Sequence, residues 1–136
     1  METDNFVSAC EKENNRYLEN KTTKLIRDEI AASLDEFDDE EIAKYMNKLV
    51  EYRFVDEVDK LHTGKFTRWI ALTDEEIYLS NGGFLTNIDY SDKGVLLTIK
   101  PFGKKHIRLV FDQLLVYQKL SSGEKLILMA ADFLEK

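Results

Sequence analysis

The first 63 residues of this 136-residue chain contain no glycine and no proline. All six glycines fall between Gly64 and Gly123, and the one proline is Pro101. Glycine supplies the positive φ angles that many tight turns need, so its confinement to the later part marks a change of secondary-structure class. The distribution predicts a helical first part, then a segment turned every ten residues or so. The change of class falls near Leu61-His62-Thr63-Gly64. It divides the chain into an acidic helical region over 1–62 and an antiparallel sheet with a C-terminal helix over 63–136, within one compact domain.

Charge follows the same boundary. The chain carries a formal net charge of -7. Residues 1–60 hold nine Lys/Arg against seventeen Asp/Glu, whereas residues 61–136 hold ten against nine. The net charge disfavours a general coat for DNA, but the acidity belongs to the helical half, and a near-neutral sheet half can still show a basic face. Hydrophobic residues at 43% and aromatics at 11% exclude a disordered chain. A single cysteine, Cys10, allows no intrachain disulfide and fits a reducing compartment. The apolar runs are too short to span a bilayer, and acids stand where a secretory signal would place basic residues. A soluble, intracellular protein with no membrane partner is expected.

In the first segment Phe6, Cys10, Tyr17, Leu25 and Ile30 recur at mostly helical spacing, with Val7, Leu18 and Ile26 beside them. Asp4 is placed to cap its start. The polar stretch from Glu11 to Thr23 leaves one long helix or two shorter ones open. A second helix follows Asp38, which stands three residues before Glu41 in a capping-box-like spacing. Ile42, Met46, Leu49, Val50 and Phe54 mark its apolar face. Tyr52-Arg53-Phe54-Val55 reads either as a strand or, through Val55, Val58 and Leu61, as more helix.

Strands are expected over 66–72, 76–79, 84–88, 95–99, 106–111 and 114–117. In the first, Phe66, Arg68, Ile70 and Leu72 share one face and Thr67, Trp69 and Ala71 the other. Asn81-Gly82 suits a tight hairpin, Asp89 to Gly94 a second turn and Pro101 to Lys105 a third. Ser121 and Glu124 form a capping box for a final helix, whose Leu126, Ile127, Ala130, Phe133 and Leu134 provide a face to pack on the sheet. The class is α+β: N-terminal helices, an antiparallel meander or small barrel of four to six strands, then a C-terminal helix.

Two charged clusters are candidate sites. Six of seven positions in Asp35, Glu36, Phe37, Asp38, Asp39, Glu40 and Glu41 are acidic. A calcium loop would alternate its carboxylates around a glycine, and none is near. The run reads as carboxylates at a helix N-terminus, where free N–H groups favour negative charge. It also reads as a docking patch for a basic protein partner. The second cluster gathers Lys100, Lys104, Lys105, His106 and Arg108 around one turn, with Phe102 inside it. Solvated lysines at a hairpin tip explain it; so does a basic and aromatic platform for single-stranded nucleic acid. Trp69 reads as a core residue.

Catalytic patterns are missing. Cys10, His62 and His106 are scattered, zinc needs about four ligands of that type, and both histidines read as exposed fillers. Ser121-Ser122-Gly123 lacks the upstream glycine of a nucleophile elbow. Neither Asn81-Gly82-Gly83 nor Gly103-Lys104-Lys105 has the strand–loop–helix setting of a phosphate loop. No catalytic residue, cofactor or metal is assigned, and the expected role is non-enzymatic.

Gly64-Lys65-Phe66-Thr67-Arg68-Trp69-Ile70, then Leu79-Ser80-Asn81-Gly82-Gly83-Phe84-Leu85, then Val116-Tyr117-Gln118-Lys119-Leu120-Ser121-Ser122-Gly123-Glu124-Lys125-Leu126-Ile127-Leu128 form a wider texture. It resembles small uncharacterised proteins encoded by large double-stranded DNA viruses of eukaryotes. The likeness covers the C-terminal half and carries no reaction onto any residue. It implies a virally encoded protein, a minor virion or capsid-associated component, found in host cytoplasm or the virion. Residues and resemblance together give an interaction or structural protein that docks through an acidic helical arm or associates with itself. The alternative is a single-strand binder using the basic hairpin.

Overall fold

The computed structural model describes Leu18 and residues 21–135. The expectations placed on Asp4, Phe6, Val7, Cys10 and Tyr17 lie outside the described residues. In chain order the elements are helices α1 (Thr23–Ser33) and α2 (Asp39–Lys48) and strands β1 (Tyr52–Val55), β2 (Phe66–Ala71), β3 (Gly83–Ser91), β4 (Gly94–Pro101), β5 (Ile107–Val110) and β6 (Leu114–Lys119). Helix α3 (Ser122–Leu134) follows. Short 3-10 turns at Val58–Lys60 and Phe111–Gln113 precede β2 and β6. The strands form one six-stranded sheet in the order β1-β6-β2-β3-β4-β5. The fold is α+β, with helices at the N-terminal side of the sheet in sequence and a helix at the C-terminus.

The chain divides into two units. One takes the described residues up to Arg53 and resumes at Leu120; the other is Phe54–Lys119. In the Phe54–Lys119 unit, β2 to β6 form antiparallel pairs. One sheet face carries a core of Val55, Leu61, Leu85, Leu97, Ile99, Phe111 and Val116. Trp69, Ile107, Leu109 and Leu114 pack against it half-buried, so Trp69 serves the core. Period-2 alternation explains the set: Leu85 lies opposite Ile99, Leu97 opposite Leu109, and Trp69 opposite Val116. Gln118 and Thr67 are buried polar residues that satisfy each other. The Gln118 amide donates to Thr67 Oγ1 (3.0 Å) and to the His62 carbonyl (2.9 Å), and its Oε1 accepts the His62 N–H (2.9 Å). A side chain thus does for His62 what a strand neighbour would do.

In the other unit the helices are capped as their sequences direct. The Asp38 carboxylate accepts the Glu41 N–H at 2.8 Å, with Asp39, Glu40 and Glu41 in the first turn of α2. Ser121 and Glu124 exchange both bonds of a full capping box. Thr22 caps α1, and the Asp132 carboxylate of α3 accepts from Thr23 N–H (2.7 Å) and Thr23 Oγ1 (2.5 Å), satisfying donors that α1 leaves free. Leu18, Ile26, Ile127 and Leu128 form the apolar cluster that joins α1 to α3. Glu124 is 1% exposed and Arg53 2% exposed, and they meet at 3.0 Å.

Several elements depart from expectation. The buried side of α1 is Ile26 and Ile30, continued by Leu34; Ile30 lies in the expected stripe and Ile26 beside it, and Leu25 alone departs, being exposed. Tyr45 and Leu49 carry the buried side of α2, and Val50 is exposed. Residues 52–55 are a strand, because α2 ends where Leu49 turns its N–H back to Tyr45 and Met46. Residues 76–79 form no strand: a single bridge, Leu79 to Ile70, is all that pairs, and Ile77 and Tyr78 are exposed. Asp89-Tyr90 continues β3, and the turn narrows to Ser91–Gly94, where Gly94 takes a φ of 116°. Of the α3 residues expected to pack on the sheet, Ile127 joins the helical cluster, with Leu128 beside it, and Phe133 and Leu134 are exposed.

Candidate functional site

The face of the sheet opposite its core is closed at one side and open at the other. On β2 and β6 it is covered, since Ile70 and Tyr117 are fully buried there. On β3, β4 and β5 the same face is accessible. Phe66 lies opposite Phe84 across β2 and β3, with ring centroids 5.3 Å apart and planes at 82°. Phe84, 49% exposed, lies opposite Lys100 on β4. Directly opposed residues project from one face, so Phe66, Phe84 and Lys100 form a row across three strands. A second row follows, in which Asn87 faces Thr98 and Thr98 faces Arg108. An irregularity between Leu85 and Asn87 lets both rows share the face, and Thr86 Oγ1 donates to the Thr98 carbonyl at 3.1 Å.

Glycine makes the first row buildable. At Gly82, with φ of 95°, a Cβ would stand 2.6 Å from the Phe66 ring and 2.9 Å from the Thr67 carbonyl oxygen. The Phe66 ring therefore packs on bare backbone, which holds it edge-on to Phe84.

The turn between β4 and β5 carries the expected basic cluster. Phe102 is 93% exposed, and Lys104, Lys105, His106 and Arg108 are exposed with it. Lys100 Nζ donates to the Lys104 carbonyl and closes the turn, which Gly103 enters at a φ of 70°. Between residues 93 and 111 the cations are Lys93, Lys100, Lys104, Lys105 and Arg108, and there is no acid. None of these cations belongs to an ion pair among the described residues, whereas pairs form at Lys21–Glu29, Lys24–Asp28, Arg53–Glu124, Lys125–Glu51 and Lys60 with Asp56 and Glu57. The hairpin cations are thus not neutralised by neighbours. Asp89 brings a carboxylate to the open face, opposite Leu96 and away from the turn.

The acidic run sits at the other predicted place, the start of α2. Asp35, Glu36, Asp38, Asp39 and Glu40 are exposed and Glu41 is half-buried, while Phe37 turns inward to meet Tyr45 edge-on at 5.7 Å. Asp38 is occupied as the cap. None of the six carboxylates belongs to an ion pair among the described residues.

His62 is half-buried rather than exposed, because Gln118 holds its backbone; His106 is exposed. Among the described residues no group of three His, Cys, Asp or Glu side chains is placed to hold a metal ion. No helix among them is long and apolar enough to cross a membrane. Sequence reasoning gathered Lys100, Phe102, Lys104, Lys105 and Arg108 but missed Phe66 and Phe84. The shared face of Phe66 and Arg68 was readable; the Phe66–Phe84 register was not, because eleven residues of link (72–82) separate β2 from β3. No family model, curated protein or solved structure matches the chain.

Proposed function

We propose that the protein works by binding, as a non-enzymatic interaction module, and that its binding surface is the β4–β5 hairpin with the open sheet face beside it. The observation that carries this reading is the set of cations around the β4–β5 turn, half-buried Lys100 with exposed Lys104, Lys105 and Arg108, left without ion pairs among the described residues. Fixed charges held apart from counter-charges attract an anionic partner and raise its encounter rate. Labelled inorganic polyphosphate is the simplest probe. Polyphosphate should bind at low salt, weaken steeply as salt rises, and lose most of its affinity in a Lys104→Ala/Lys105→Ala/Arg108→Ala variant. Equal binding by that variant would remove the hairpin as the site.

A second reading rests on the exposed and unpaired carboxylates of Asp35 to Glu40, which suit a basic partner. Here α2 would be the docking arm. Neutralising Asp35, Asp38, Asp39 and Glu40 as amides should weaken binding of a poly-lysine peptide in a salt-dependent way; unchanged affinity would leave these acids with a capping role alone. In a virally encoded protein, the setting suggested by the resemblance of the C-terminal half, either surface would serve a minor virion or capsid-associated component.

A further inference from the structure

We infer that the ligand of the open sheet face is single-stranded nucleic acid, held by base stacking on Phe84 and Phe102 and by phosphate contacts to Lys104, Lys105 and Arg108. This rests on the hairpin being an anion-binding surface, and adds what the anion must be. A generic polyanion needs only the cations. Here half-exposed Phe84 lies opposite Lys100, Phe66 braces the Phe84 ring from the side, and Phe102 stands almost wholly in solvent two residues beyond Lys100 in the turn. Neighbouring strands are about 4.8 Å apart, so the row from Phe66 to Lys100 spans about 10 Å of flat, half-apolar surface. An unpaired base offers a π-face for such a ring and a phosphate for the adjacent cation. Paired bases do not, since their faces are already stacked within the duplex. Thr98 and Asn87, in the second row, add hydroxyl and amide groups that can bond base edges.

An acidic peptide satisfies the charges but gives the rings less to do. The row of aromatic side chains beside uncompensated cations is what favours nucleic acid.

The test measures fluorescence anisotropy of labelled oligo-thymidylate and oligo-uridylate on the full chain, with polyphosphate of matched charge beside them. Both single strands, or one in preference, should bind at low salt and outcompete duplex of the same length. Phe84→Ala and Phe102→Ala should each weaken the oligonucleotide about ten-fold and leave polyphosphate unchanged, as loss of one stacked base requires. Phe84→Tyr should restore binding. Phe102→Ala carries no folding risk, since the ring is almost wholly in solvent. Replacing Lys104, Lys105 and Arg108 by alanine should flatten the dependence of log K on log salt by about 2, as three phosphate contacts on a single strand predict. Oligonucleotide binding that ignores both aromatic variants would overturn the stacking platform while the anion-binding reading stands. Duplex bound as tightly as single strand, or poly-glutamate displacing the oligonucleotide, would overturn nucleic acid as the ligand. Absence of binding to polyphosphate and oligonucleotide alike would overturn both readings.

Discussion

Arg53 and Arg108 have the same side chain and opposite lives. Arg53, in the helical unit, is 2% exposed and gives its Nε to Glu124, itself 1% exposed and already committed to the Ser121 capping box. Arg108, on the edge strand of the sheet, is exposed and belongs to no ion pair among the described residues. The contrast extends to their neighbours. Lys21, Lys24 and Lys125 in the helical unit each meet a carboxylate, and Lys104 and Lys105 of the hairpin meet none. The difference is one of place rather than of unit: Lys60 of the Phe54–Lys119 unit also meets Asp56 and Glu57, and Lys44 and Lys48 of the helical unit belong to no ion pair among the described residues, but the hairpin is where unpaired cations stand together. Net charge hides this, because a neutral sum says nothing about whether opposite charges touch.

The largest effect should come from breaking the helical unit's buried pair. Glu124→Gln keeps an oxygen to accept the Ser121 N–H but leaves the buried Arg53 guanidinium short of its carboxylate. A loss of about 3–5 kcal/mol in denaturant unfolding is expected. The double variant Arg53→Met/Glu124→Gln should recover much of that loss, since the cost lies in the uncompensated charge. A single variant as mild as the double would show that Arg53 and Arg108 differ in exposure but not in dependence on a partner. Gln118→Leu is the matching change in the sheet unit. It deletes the hydrogen bonds to the His62 backbone and to Thr67 Oγ1 from a neutral buried site. The unfolding free energy should fall by about 1–3 kcal/mol, with faster hydrogen exchange at the His62 amide. An effect as large as that of Glu124→Gln would mean that the two units do not differ in what their buried polar groups contribute.

Local chemistry was legible and long-range pairing was not. Asp38 and Ser121 could be recognised as caps because each acts on a residue three positions away. The Ser91–Gly94 turn was partly legible, since its glycine marks the required φ, although Asp89-Tyr90 looked like turn residues and proved to be strand. Residues 76–79 misled because Ile77 and Tyr78 have strand-like side chains yet lie in solvent; composition cannot tell an apolar residue in a link from one on a pleated face. The partner of α3 was hidden for another reason. Its tie to α1 runs from Thr23 to Asp132, 109 positions apart, and an apolar helix face does not say which apolar surface it will meet. The same distance problem hid the Phe66–Phe84 pair, while the cations of the hairpin, being close in sequence, were visible at once.

Smaller changes sharpen the distinction between charges used for folding and charges left for a partner. Asp38→Ala removes the cap of α2 and should cost about 1 kcal/mol, with Asp38→Asn close to the parent. If Asp38→Asn were as damaging, negative charge rather than hydrogen bonding would be what α2 needs there. Asp39→Asn/Glu40→Gln touches only the favourable placement of carboxylates near the helix N-terminus, so about 0.3–1 kcal/mol is expected, shrinking in high salt. The smallest effect belongs to the hairpin. Lys104→Ala/Lys105→Ala should change stability by no more than about 0.5 kcal/mol, because neither lysine is buried or ion-paired among the described residues. A gain in stability would fit the comparison equally well, since separating like charges at one turn relieves repulsion. A loss of 2 kcal/mol, on the order of a buried hydrogen bond left unmade, would show that these lysines support the fold, and the two units would then use their cations alike.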